Sequence, residues 1–210
     1  MKDFTFEGAK KANRKKEEIE WLRIWCENTN DDTLPRVALI GDSITAQGYD
    51  FVKRELNGIA NVDHLATSYS ILSPAYVCMV EKFLQDSDYA VVCFNYGLHG
   101  FSVTAEEYEK AYREMLKKFL KRSKVVVTLT TDIHTENVGG EEVTNPVVIE
   151  RNKIATALAN EFNLTIDDAY SISNELGKDG KVEDGVHFTA LGAEKLGVSK
   201  ANAIQKVLGI

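Results

Sequence analysis

The sequence predicts a three-layer α/β/α sandwich around a five-stranded parallel sheet, a flavodoxin-like arrangement. Three observations point there. Short apolar runs recur along the chain, as strands buried on both faces of a parallel sheet require. Helical periodicities separate them, and strand–helix alternation builds parallel sheets with helices on both faces. The 210 residues carry 14 Gly and only 3 Pro, with no repeat, low-complexity tract or linker. Residues 1–210 therefore read as one domain, at roughly 100–200 residues per domain.

The elements follow in order. Phe6–Glu27 is predicted helical, because Ile19, Leu22 and Trp25/Cys26 recur at three- and four-residue spacing. With the polar connector that ends at Pro35, it makes residues 1–35 a helical extension ahead of a core at 36–208. That helix could cover a sheet edge or pair with a second subunit in a homo-oligomer. Arg36–Ile40, Ile59–Ala66, Tyr89–Phe94, Lys124–Thr130 and Leu164–Ile166 are the five predicted strands. Between them lie helical patterns at Tyr49–Asn57, Ser73–Leu84 (with Pro74 in its first turn), Thr104–Leu120 and a helix opened by Asn145–Pro146. Thr104 and Glu107 have capping-box spacing. A last helix spans about Thr189–Leu208.

Charge and cysteine content limit the function. A net charge of −7 lacks the basic face that nucleic acid or an anionic membrane requires. Cys26, Cys78 and Cys93 are odd in number and far apart, which suits a reducing, cytoplasmic setting rather than a disulfide framework. The polar, lysine-rich stretch Met1–Lys16 is no secretory signal, and no run of 18 apolar residues is present to span a membrane.

Ligands of an open parallel sheet bind beyond the carboxyl ends of the strands, so the loops there are the ones to read. The first is Gly41-Asp42-Ser43-Ile44-Thr45. A Ser between a strand end and a helix start is placed as a nucleophile, with its own N–H able to meet a developing oxyanion. The same residues also fit a plain turn with a helix cap. The second is Asp184-Gly185-Val186-His187, just before the last helix. A serine hydrolase needs a base for the hydroxyl proton and a carboxylate to orient it, and a three-residue spacing lets these two meet within one turn. The third is Phe94-Asn95-Tyr96-Gly97-Leu98-His99-Gly100, where Asn95 or His99 could donate to an oxyanion. In the long loop after the fourth strand, Asp132, His134 and Glu136 alternate with other residues, a pattern suited to substrate contact more than to a metal. His64 reads as structural. Tyr49, Tyr69, Tyr76 and Tyr96 could line a sugar or acyl pocket.

Taken together, the three blocks resemble those of the SGNH (GDSL-type) hydrolase superfamily, over about residues 36–208. The first and last blocks match closely. Gly97-Leu98-His99-Gly100 stands where Gly-x-Asn-Asp is usual, as in a subgroup with an Asn-x-Gly-Leu-His block. The resemblance implies a serine esterase without metal or organic cofactor, acting on a small-molecule ester, with an acetyl group on a carbohydrate as the leading substrate. A thioesterase or lysophospholipase of the same fold, or a catalytically silent ligand-binding member, is the alternative. Ser43 would be the nucleophile, His187 the base and acid, and Asp184 the third triad member. The oxyanion would rest on the N–H of Ser43, on Ser68 in a second block that lacks the usual Gly, and on His99 or Asn95. Asp42, Tyr96, Gly97 and His134 are the candidates for substrate contact.

Overall fold

The structure is a computed structural model and describes residues 15–135, 137–138, 141–142 and 145–210. The chain runs β1 (Leu22–Trp25), β2 (Arg36–Gly41), α1 (Ser43–Glu55), β3 (Asn61–Thr67), α2 (Pro74–Gln85), β4 (Tyr89–Phe94), α3 (Ala105–Phe119) and β5 (Lys124–Thr128). It continues with β6 (Asn137–Val138), β7 (Glu141–Glu142), α4 (Asn145–Glu161), β8 (Thr165–Asp167), α5 (Ala169–Leu176) and α6 (Ala190–Leu208). A six-stranded sheet has the order β1-β3-β2-β4-β5-β8, and β6 and β7 form a separate two-stranded ribbon.

The five expected strands are present and pair in parallel. Alternation along β2 shows why both faces are covered. Ala38 and Ile40 face α2, α3 and α4, in a core with Tyr76, Tyr108, Tyr112 and Leu158. Val37 and Leu39 face α1 and α6, in a core with Val52, Ala201 and Ile204. The sandwich is thus fixed by period-2 burial on the strands and apolar stripes on the helices. The capping box of α3 forms as expected: Glu107 N–H donates to Thr104 Oγ1, and Thr104 N–H to the Glu107 carboxylate.

The amino-terminal segment corrects the helix expectation. Residues 15–21 are not helical, and residues 22–25 form β1, an antiparallel edge strand on β3. Residues 6–14 of the predicted helix lie outside the described residues. The sheet therefore has a sixth strand that three- and four-residue spacing concealed. Two helices also differ from expectation. α1 begins at Ser43, ahead of the predicted start at Tyr49, and α5 is a helix the sequence patterns did not predict.

The chain order creates the crevice. From β2 it turns outward to β3, and from β4 it turns the other way to β5. The loops leaving β2 and β4 therefore diverge, which is the switch point where open sheets bind ligands. Ser43 follows β2, and residues 95–100 follow β4.

Candidate active site

The Ser43 block is built by strand and helix together. Gly41 ends β2 where a Cβ would fall 2.1 Å from Thr45 Oγ1, so no larger residue fits this approach. Asp42 is the N-cap of α1, and its Oδ1 accepts the N–H of Ile44 at 3.0 Å. Ser43 is thus the first helical residue, and its N–H is one of the first-turn donors that a helix leaves unpaired. Asp42 was expected to touch substrate. It is buried, and one of its oxygens serves the cap.

The His187 block is a tight turn organised by one carboxylate. Asp184 Oδ1 accepts the N–H of Val186 (2.8 Å) and of His187 (2.9 Å), and Oδ2 lies 2.6 Å from His187 Nδ1. Burial raises the Asp184 pKa, but the hydrogen bonds from the His187 ring and the two N–H groups outweigh it, leaving it below the ordinary value. Because Nδ1 is engaged, Nε2 is the nitrogen His187 can offer to a serine. Gly185 makes the turn: its φ is +71°, and a Cβ there would lie 2.7 Å from the His134 backbone.

Two side chains not foreseen from sequence fix this block to the rest. Gln47, one turn along α1 from Ser43, donates to the Phe188 carbonyl at 2.7 Å and accepts the Phe188 N–H at 3.1 Å. This two-point bond spans 141 residues and couples the helix of Ser43 to the neighbour of His187. Beneath the turn, buried Lys181 donates to the carbonyls of Asp132 (2.9 Å) and Val186 (3.3 Å) and pairs with the Asp132 carboxylate at 3.3 Å. Burial lowers the Lys181 pKa, against the raising effect of Asp132. Its ammonium sits 3.8 Å from the Phe188 ring centroid.

The three blocks converge. Ile44, Leu98 and Val186, each adjacent to one of the candidate residues Ser43, His99 and His187, pack in a single apolar cluster with Ile133 and Val148. His134 joins from the long loop: its N–H donates to the Gly185 carbonyl at 2.8 Å, and Nε2 lies 3.0 Å from Asp132. Glu136 lies outside the described residues. Among the described residues no three His, Cys, Asp or Glu side chains group as a metal-binding set.

The oxyanion candidates separate sharply. Asn95 is buried, and its amide nitrogen donates to the Thr128 carbonyl (2.9 Å) and to Thr130 Oγ1 (3.2 Å), so its donors are spent joining β4 to β5. Ser68 is also occupied. Its N–H donates to the Trp21 carbonyl (3.3 Å), and its hydroxyl accepts from Trp21 N–H (2.9 Å) and donates to the Ile19 carbonyl (3.4 Å). His99 keeps a free edge. Nδ1 lies 2.9 Å from both Glu17 oxygens, and no hydrogen bond in the described structure uses Nε2.

The loop carrying His99 is clamped by Arg151 of α4. Its guanidinium donates to the carbonyls of Gly97 (3.0 Å), His99 (2.8 Å) and Gly100 (2.8 Å). It also lies 5.0 Å from the ring centroids of Phe101 and Tyr108. Gly97 is buried against Thr130, so its role is close packing rather than substrate contact. Tyr96 is likewise corrected: it is core, packed on Tyr76 and Tyr108. Tyr49 and Tyr76 are buried too, in the cores on opposite faces of the sheet. His64 is buried against Tyr49, as a structural histidine would be.

Gln47 had a readable signal, an amide four residues after the candidate nucleophile on the same helix face. Glu17, Arg151 and Lys181 had none, because their partners are distant in sequence.

A scan of protein-family models finds no match to the chain, and a search of curated proteins finds none either. Solved structures do match. The acetylxylan esterase Axe2 from Geobacillus stearothermophilus is 14% identical, with a TM-score of 0.65 over 84% of this chain and 94% of that one. A lipase/acylhydrolase from Enterococcus faecalis is 19% identical, with a TM-score of 0.65 over 82% of this chain and 96% of that one. A protein from Slackia heliotrinireducens assigned to the SGNH hydrolases is 14% identical, with a TM-score of 0.66 over 82% and 100%. The chain has the SGNH hydrolase fold.

Proposed function

We propose that the protein is a serine ester hydrolase working through an acyl-enzyme. The observation that carries this reading is the coupling of two blocks. Ser43 opens α1, the Asp184–His187 pair closes at 2.6 Å, and Gln47 bonds α1 to the residue after His187. A nucleophile, a base and an orienting carboxylate are then held by one helix and one turn.

The steps follow from the atoms. Ser43 Oγ attacks the ester carbonyl as Nε2 of His187 takes its proton. The carbonyl electron pair moves to oxygen, where the Ser43 N–H meets it. Collapse expels the alcohol, protonated by His187, and leaves Ser43 acylated. Water then adds by the same path and releases the acid. Asp184 holds Nδ1–H and so keeps the lone pair of Nε2 toward Ser43.

A short acyl group, acetyl first, is the substrate class we favour. Its support is likeness to proteins described as acetylxylan esterases, together with the burial in the core of Tyr49, Tyr76 and Tyr96, three of the four tyrosines that could have lined an acyl pocket. The three cysteines are free, which supports a reducing, cytoplasmic setting. The test is hydrolysis of p-nitrophenyl acetate, butyrate and octanoate by wild type and Ser43→Ala. Loss in the variant with an unchanged melting temperature supports the serine mechanism. Preference for octanoate would overturn the short-acyl assignment.

A further inference from the structure

The amino-terminal segment holds two of the four residues expected as oxyanion donors, Ser68 and His99. Trp21 takes the N–H and hydroxyl of Ser68, while Glu17 takes Nδ1 of His99. The Glu17 carboxylate is buried, 4% exposed, and the His99 ring is 9% exposed. The carboxylate also accepts the Gly100 N–H at 3.1 Å, and the Trp21 ring meets His99 edge-on with centroids 6.3 Å apart. These contacts fix the ring and leave only Nε2 available.

A carboxylate against Nδ1 selects a proton there. A neutral ring so held has a lone pair on Nε2 and cannot donate to an oxyanion. A ring carrying the second proton can. A ring that has taken its second proton from water before the ester binds meets the oxyanion already charged. Arg151 brings one positive charge, which among the described residues meets only carbonyls and ring faces. Glu17 brings one negative charge, linked to Arg151 through the His99–Gly100 peptide, whose N–H meets Glu17 and whose carbonyl meets Arg151. A protonated His99 then leaves one surplus positive charge, which the oxyanion cancels. Charge placed in advance where the transition state needs it is the usual source of such stabilisation.

We propose that His99 is the catalytic oxyanion donor in its imidazolium form, through Nε2–H, and that Glu17 is the positioning residue that holds the ring and its Nδ1 proton. Residues 17–21 then complete the active site. This rests on Ser43 being the nucleophile.

Glu17→Gln is the informative change. Its amide oxygen can keep the Gly100 N–H and its NH₂ can face Nδ1, so the packing is preserved while the charge is lost. With p-nitrophenyl acetate, Glu17→Gln is expected to lower kcat about tenfold with little change in KM, since charge-assisted bonds are roughly twice as strong as neutral ones. Binding of a short trifluoromethyl ketone, whose adduct with Ser43 Oγ carries an oxyanion, should weaken by a similar factor. His99→Ala should cost about 10²–10³ in kcat. His99→Asn, which restores a neutral amide donor, should recover part of that and become indifferent to Glu17→Gln.

A silent Glu17→Gln would overturn the role of Glu17. An equal loss from Glu17→Gln in the His99→Ala background would show a purely structural effect and overturn it too. A wild type that neither turns over ester nor forms the ketone adduct would instead remove the Ser43 reading, and this inference with it. Wild-type melting temperatures in the variants keep unfolding out of the comparison.

Discussion

The Glu17 carboxylate and Nδ1 of His99 lie 2.9 Å apart across 82 residues of sequence. The Asp184–His187 pair makes a similar contact at 2.6 Å across only three. The two dyads differ in surroundings. Side chains of the first are 4% and 9% exposed, those of the second 48% and 38%. The exposed dyad can exchange protons with substrate and water, as a base must. The buried one holds its ring against Glu17, and the role proposed for it is electrostatic.

Gln47 should matter to turnover more than to folding. Gln47→Ala removes both bonds to Phe188 and frees the His187 turn from α1. Two neutral hydrogen bonds are worth about 2 kcal/mol in stability. A misplacement of the base by about 1 Å can cost about 10²-fold in rate. The expected result is kcat down ten- to a hundredfold, with a melting temperature only a few degrees lower. Steady-state kinetics and calorimetry on the same preparation check this. Unchanged kcat would show that Lys181 and Asp184 suffice to place His187.

Asp184→Asn should nearly abolish activity while leaving the fold. An amide NH₂ facing Nδ1 moves the ring proton to Nε2, where it blocks proton transfer from Ser43. Loss of about 10⁴ in kcat is expected for the wrong tautomer. In the wild type, against the raising effect of burial, hydrogen bonds from the His187 ring and two backbone N–H groups hold the Asp184 pKa below its ordinary value. A carboxyl with a depressed folded pKa stabilises the turn above its unfolded value and loses that as pH falls through the folded value. Activity that survives Asp184→Asn would assign the orienting role elsewhere.

The fold and the candidate site were legible in the sequence to different degrees. Strands β2, β4 and β5 were, because Arg36–Gly41, Tyr89–Phe94 and Lys124–Thr128 are apolar runs that few other structures could bury. The candidates Ser43, Asp184 and His187 could be named from sequence, since each sits in a short local motif at a strand end or before a helix. β1 was not. Leu22, Ile24 and Trp25 are all substantially exposed in it, so no buried face imposed an alternation to read. Its pairing with β3 is a tertiary contact, and edge pairing overrides a weak helical spacing. The occupied donors of Asn95 and Ser68 were hidden for the same reason: their partners, Thr128, Thr130, Ile19 and Trp21, come from other elements.

His64 predicts how the protein responds to mild acid. It is completely buried on β3, its ring nitrogens make no hydrogen bond, and burial brings its pKa down to about 4. The unfolded chain binds this proton from about pH 6.5 downward, whereas the folded chain does so only near pH 4. The unfolded state therefore carries more protons between these values, and stability falls as pH falls across that window. The contribution reaches about 3 kcal/mol by pH 4. Urea unfolding at pH 7.5, 5.5 and 4.5 should show this decline, and His64→Phe should flatten it. An unchanged slope in the variant would place the acid sensitivity in other groups.

The central claim is that Ser43 is an activated nucleophile. Labelling with a fluorophosphonate, followed by peptide mass spectrometry, tests it without assuming a substrate. The predicted result is one phosphonylated peptide containing Ser43, with labelling lost in Ser43→Ala and strongly slowed in Asp184→Asn. Labelling that persists in Ser43→Ala, or a wild type that takes no label, would contradict the account.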